Sequence, residues 1–151
     1  MKITKMPTPI LWALKHSTGV KKGDCFTNCG HATILPSIID CDYSDRIKNS
    51  GLTIEYIIGI LSPPGHESTP HAWLKAKRHD KNYYWDPTLQ ENSSLWNMSY
   101  DKFVYEQTHS FDSQEIIDWW KHKYPDKSKD SNGVPEGNCR FPIICHKKIL
   151  Q

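Results

Sequence analysis

The chain has 151 residues, of which 24% are charged and 37% hydrophobic, and its net charge is +2. That length suits one domain with its own core, and 19 basic against 17 acidic residues exclude the basic footprint of a nucleic-acid binder or a polybasic membrane patch. No apolar run approaches the roughly 20 residues of a membrane span, and Ile10 to Leu14, behind Pro7 and Pro9, is too short for a signal-peptide core. The expectation is a cytoplasmic protein with no membrane and no nucleic-acid partner. Five cysteines, Cys25, Cys29, Cys41, Cys139 and Cys145, lack the spacing of a disulfide framework and read as free thiols in a reducing compartment.

In chain order, Ile10 to Leu14 is a short helix or strand. Asp24 is placed to cap a helix beginning near Cys25, with Phe26, Cys29, Thr33 and Ile34 forming a partly apolar stripe. Gly30 weakens that helix by about 1 kcal/mol relative to alanine, and Pro36 opposes its continuation past Leu35, with a kinked or second turn through Ile38-Ile39 as the alternative. Asp40 to Gly51 reads as polar and turn-rich, and Leu52 to Leu61 as a buried strand. Ser62 to Glu67 is a loop. His71 to Lys77 alternates with period two and Tyr83 to Trp85 follows a polar turn, which makes a hairpin ending at Asp86-Pro87-Thr88. Ser113 to Tyr124 is an amphipathic helix carrying Ile116, Ile117, Trp119 and Trp120, of which the two tryptophans cannot face the same way. Asp126 to Asn138 is low in hydrophobicity and predicts a mobile loop; residues 139–151 form a tail with a strand over Phe141 to Cys145. The whole is one domain over 1–151, with its core over about 20–125.

Cys25, His71 and Asp86 follow one another in the order and spacing of a thiol nucleophile, its proton shuttle and an orienting carboxylate. A cysteine at the first turn of a helix sits where the macrodipole and free backbone N–H groups favour the thiolate, and those N–H groups can also stabilise an oxyanion. A hairpin centred near Arg78–His79 sets His71 and Asp86 directly opposite. A centre nearer Asp80–Lys81 offsets them on one face. When they meet, Asp86 is expected on Nδ1, leaving Nε2 to face Cys25. Cys29 is the rival nucleophile, and His31, on the same element as the thiol, is a surface or core residue. Trp73 is read as core, and His66 as a loop residue on the rim of the site. Competing zinc sets, Cys25, Cys29, His31 and Cys41 or Cys139, Cys145 and His146, lack tight Cys-x-x-Cys pairs. No metal and no cofactor are called for.

Over Lys22 to Thr88 the chain resembles the transglutaminase-like branch of the papain-like cysteine superfamily, which includes transglutaminases, peptide N-glycanases, bacterial transglutaminase-like proteases and, more distantly, arylamine N-acetyltransferases. Four stretches carry the resemblance: Gly23-Asp24-Cys25-Phe26-Thr27-Asn28, Ile54 to Ile60 with its Gly59, His71-Ala72-Trp73, and Trp85-Asp86-Pro87-Thr88. It implies an α+β fold in which a nucleophile helix packs on an antiparallel sheet. It also implies Cys25 as nucleophile, His71 as base and acid, and Asp86 as the orienting carboxylate. The helix after the nucleophile is long and apolar in the family, and Pro36 departs from that pattern. The implied function is thiol chemistry on an amide, isopeptide or thioester carbonyl, with hydrolysis (protease, amidase or deamidase) favoured over amine transfer. The substrate is then a protein, peptide or small acyl compound, and the oligomeric state is open. The alternative is a noncatalytic binding or inhibitory module of the same fold.

Overall fold

A computed structural model describes residues 1–145 and 148–150, with the side chains of Cys145 and Leu150 outside that description. The chain is α+β: an antiparallel four-stranded sheet with six helices around it among the described residues. In chain order these are α1 (Thr8–Thr18), α2 (Cys25–Ile38), α3 (Asp42–Asn49), β1 (Thr53–Ser62), β2 (Thr69–Arg78), β3 (Lys81–Trp85), α4 (Pro87–Asn92), α5 (Ser94–Ser99), β4 (Val104–Phe111), α6 (Ser113–Lys123) and the pair β5 (Ile143–Cys145) and β6 (Lys148–Leu150). The sheet order is β3-β2-β1-β4. No helix among the described residues is long and apolar enough to cross a membrane.

Pro7 precedes α1 and Pro9 lies in its first turn, where a missing N–H costs nothing, so Ile10 to Leu14 is helical. One expectation fails in α2: Asp24 occupies the N-cap position but its side chain makes no capping hydrogen bond. Of the two readings at Pro36, the structure takes the continuation, and the helix runs through the proline to Ile38. Proline has no N–H to give the carbonyl four residues back, and the Tyr43 hydroxyl satisfies that carbonyl instead, donating to Ala32 O at 2.6 Å. Gly30 has a packing reason as well: a Cβ there would collide with the Phe141 ring. The Asp40 to Gly51 stretch, expected as turns, contains α3. Tyr43 and Ile47, four apart and buried, give it a core face. Asp42 and Asp45 in its first turn and Arg46 and Lys48 in its last match the helix dipole.

The sheet separates two cores. Ile54, Tyr56 and Ile58 of β1 and Ala72, Leu74 and Ala76 of β2 pack with the helices in the larger one. Ile57, Leu61 and Trp73 pack with Ile3, Trp96 and Phe103 in the smaller. Trp73 is therefore core. The β2–β3 hairpin pairs Arg78 with Lys81 and Leu74 with Trp85, so its turn is His79–Asp80, with His79 in the left-handed region at φ 57°. β4, outside every expected element, pairs with β1 on its other side and shifts register between Ile58 and Gly59.

α6 matches its expected span to within a residue and is held by a capping box from Asp112 to Glu115. Trp120 is buried and Trp119 half-buried. The 126–138 stretch, expected as a loop, has no helix or strand, but Val134 in it is buried in the larger core. The tail holds the hairpin β5–β6 in place of a single strand over Phe141 to Cys145.

Candidate functional site

The Lys21–Asp24 turn is closed by Asp24 N–H donating to Lys21 O at 3.3 Å, and Gly23 supplies its left-handed residue at φ 74°. Cys25 then opens α2. Asn28, one turn along, locks this entry. Its side chain accepts from Lys21 N–H at 3.0 Å and donates to Lys21 O at 2.8 Å and to Thr88 Oγ1 at 2.9 Å. The stretch around Cys25 is thereby pinned to the stretch that follows Asp86. Because Asp24 does not cap, the backbone N–H groups of Cys25, Phe26 and Thr27 remain outside the hydrogen bonding of the helix.

His71 and Asp86 meet. Their hairpin register places Asp86 one residue beyond the last paired residue of β3, diagonal to His71 and on the same face of the ribbon. His71 Nε2 lies 2.7 Å from Asp86 Oδ2. The expected assignment of ring nitrogens is therefore reversed: Asp86 takes Nε2, and Nδ1 is left for Cys25. The physical reason is the diagonal offset, which brings the carboxylate to the far end of the ring. The Cys25 thiol approaches the imidazole closely enough to favour its charged form.

Asp86 is fully buried, and three donors saturate it. Besides His71, the Tyr105 hydroxyl donates to Oδ2 at 2.7 Å and Leu89 N–H to Oδ1 at 3.1 Å. The last bond makes Asp86 the N-cap of α4, with Pro87 at the first helical position. Tyr105 in turn accepts from Trp96 Nε1 at 2.7 Å. The sequence reading missed Tyr105 and Trp96, because they reach Asp86 only through the pairing of β4. The Asp-Pro-Thr-Leu run, an N-cap with proline at N1, was the available signal for α4. Gly59 lies opposite His71 in the β1–β2 register. A Cβ there would collide with the Glu106 carbonyl and come 2.7 Å from the Trp73 ring, so this glycine lets β4 approach and carry Tyr105 in.

Burial alone pushes the His71 pKa down. The charge and hydrogen bond of Asp86, together with Cys25, overcome it and raise the imidazole to about 10. Tyr105 is pushed up by burial and then by the Asp86 charge, so it stays a neutral donor.

Cys29, the rival nucleophile, is fully buried, donates to Ala72 O at 3.5 Å and is pushed well up, first by desolvation and then by Asp86. It is a protonated tie between α2 and β2. His31 is partly buried, edge-on to Phe141 at 5.2 Å, and lowered by desolvation. Cys25, Cys29, Cys41 and Cys139 are free thiols. Among the described residues no group of His, Cys, Asp and Glu could hold a metal ion; of the second set, the Cys145 side chain and His146 lie outside the described residues.

A cleft of about 380 Å³ opens over Cys25 and His71, and His66 stands on its rim. Larger depressions, about 790 Å³ beside α1, α3 and β3 and about 1050 Å³ beside α2 and α6, hold no thiol paired with an imidazole. Chemistry rather than volume selects the smaller cleft. Comparison with known proteins gives no match to a family model, to a curated protein or to a solved structure.

Proposed function

We propose that this chain is a cysteine-dependent hydrolase of the papain-like, transglutaminase-like type, acting on an amide, isopeptide or thioester carbonyl. One observation carries the reading: a thiol at an uncapped helix start faces an imidazole whose other nitrogen is held 2.7 Å from a fully buried carboxylate. The α2 helix on an antiparallel sheet, with His71 on β2 and Asp86 just past β3, supports the same fold type.

In this mechanism Cys25 Sγ attacks the carbonyl carbon, forming a C–S bond as the carbonyl oxygen takes up negative charge. The backbone N–H of Cys25, at the start of α2 and on the wall of the cleft, is the donor offered to that oxygen. Collapse breaks the bond to the leaving group, which receives the proton held by His71. Water then attacks the thioester, gives a proton to His71, and expels the Cys25 thiolate. Asp86 holds the imidazole in place throughout by its bond to Nε2 at 2.7 Å.

The experiment is alkylation with iodoacetamide across pH 5 to 9, with the modified residue located by mass spectrometry. Cys25 is expected to label fastest of the cysteines and to lose that advantage in His71→Ala, while Cys29 stays unlabelled until unfolding. Labelling of Cys25 no faster than Cys139, and indifferent to His71, would replace the enzyme with a binding module of this fold.

A further inference from the structure

Six apolar side chains from six separate stretches wall the cleft over Cys25: Leu61, Pro63, Pro70, Leu89, Leu95 and Phe103. They come from the end of β1, the loop after it, the start of β2, α4, α5 and the approach to β4. Among the described residues no Asp, Glu, Lys or Arg lines this cleft; the polar side chains that reach it, apart from the thiol, are hydroxyls and two imidazoles. Leu95 is 41% exposed while Phe103 beside it is buried, so an occupant would cover Leu95 and rest on a wall already in place.

The His71 imidazolium is already paired with the Asp86 carboxylate at 2.7 Å, so a charged group entering such a cleft loses water and finds no unpaired opposite charge. An apolar group gains with every methylene it buries. At about 380 Å³ the space is near the small end of ligand sites, which run to about 1,000 Å³. It suits one short chain or one side chain.

We infer that the site takes an uncharged, apolar acyl group of a few carbons and turns away acyl groups that carry a carboxylate or an ammonium. The inference rests on the acyl-transfer reading above. It also selects water over a cationic amine as the group that resolves the thioester, since nothing lining the cleft would hold an ammonium. Overall, the acyl–leaving-group bond and one O–H bond of water break, and a carboxylic acid and the protonated leaving group form, with Cys25 and His71 returned to their starting states.

The test uses the full chain and two sets of probes. One is the p-nitrophenyl esters of acetate, butyrate, hexanoate and hemisuccinate. The other is the p-nitroanilides of N-acetyl leucine, aspartate and lysine. Intact mass identifies the acyl adduct, and rates are taken relative to Cys25→Ala. Acylation of Cys25 is expected to rise about fourfold per methylene until the cleft is full. Hemisuccinate should fall at least tenfold below butyrate, and leucine should exceed aspartate and lysine by a similar factor. Leu95→Lys should narrow the butyrate-to-hemisuccinate ratio at least fivefold. A response of the anilides assigns the acyl group to a peptide residue; a response confined to the esters assigns it to a small ester or thioester.

Acylation of Cys25 that ignores chain length, or that favours a charged acyl group, overturns this inference and leaves the acyl-transfer reading standing. No acylation by any probe beyond that of Cys25→Ala overturns both.

Discussion

Asp86→Asn removes a negative charge and an acceptor from a fully buried position, and the two losses separate by pH. The carboxylate receives His71 and Tyr105 on Oδ2 and Leu89 N–H on Oδ1. An amide offers one oxygen and one NH2, so whichever way it turns, a donor faces a donor. That costs about 1–3 kcal/mol at any pH. The second loss is the lift on His71, from 6.5 to about 10 in the wild type. At about 1.4 kcal/mol per pKa unit, this lift is worth at most about 5 kcal/mol, shared between Asp86 and Cys25.

The folded pKa of His71 lies above the unfolded value. Its contribution is therefore fully present below pH 6.5 and disappears as pH rises through about 10. Without Asp86, burial lowers the pKa of the ring and only the Cys25 thiol is left to oppose it. Urea unfolding of wild type and Asp86→Asn at pH 6, 7.5 and 9 is expected to show a gap of several kcal/mol at pH 6 that narrows steadily towards the alkaline end. A gap that is constant with pH, or that widens as pH rises, would refute the buried imidazolium–carboxylate pair.

Tyr105→Phe deprives Asp86 of one donor and leaves the buried Trp96 Nε1 without its acceptor. It should destabilise by about 1–3 kcal/mol, and an unchanged unfolding midpoint would deny the Trp96–Tyr105–Asp86 chain. Gly30→Ala should gain about 1 kcal/mol from helix propensity, but overpacking against Phe141 costs about 1–3 kcal/mol. The net change is expected to be destabilising alone and to shrink or reverse when combined with Phe141→Ala; thermal melts of the single and double variants decide. Tyr43→Phe exposes the gap left by Pro36, stranding the Ala32 carbonyl. A loss of about 1–3 kcal/mol is expected by chemical denaturation, and the loss should vanish in a Pro36→Ala background, where a backbone N–H can take over.

The elements that appeared as read share a short-range cause. The β2–β3 hairpin and α6 follow from two-residue and 3.6-residue periods, which need no distant partner. α3 went unread because its apolar face is only Tyr43 and Ile47, set among charges that look like a loop. The continuation of α2 past Pro36 is not decided locally, because its compensation comes from Tyr43, eleven residues from the Ala32 carbonyl that it satisfies. β4 escaped because its edge position leaves it a mostly exposed, polar strand without clean alternation.

Cys25, His71 and Asp86 were legible because each sits at the end of an element, and residue type together with element ends is local information. That α2 begins at Cys25, that His71 and Asp86 share a hairpin face, and that Trp73 is core follow from the amino-acid order alone. Which imidazole nitrogen meets Asp86, that Tyr105 closes the carboxylate, that Asn28 ties the Cys25 turn to Thr88 and that Cys29 is buried were decided only by tertiary structure. Those outcomes rest on partners up to 60 residues apart and on burial, which exists only once the sheet and α2 have packed. Period and propensity act over a few residues; desolvation and hydrogen-bond saturation at this site act across the whole fold.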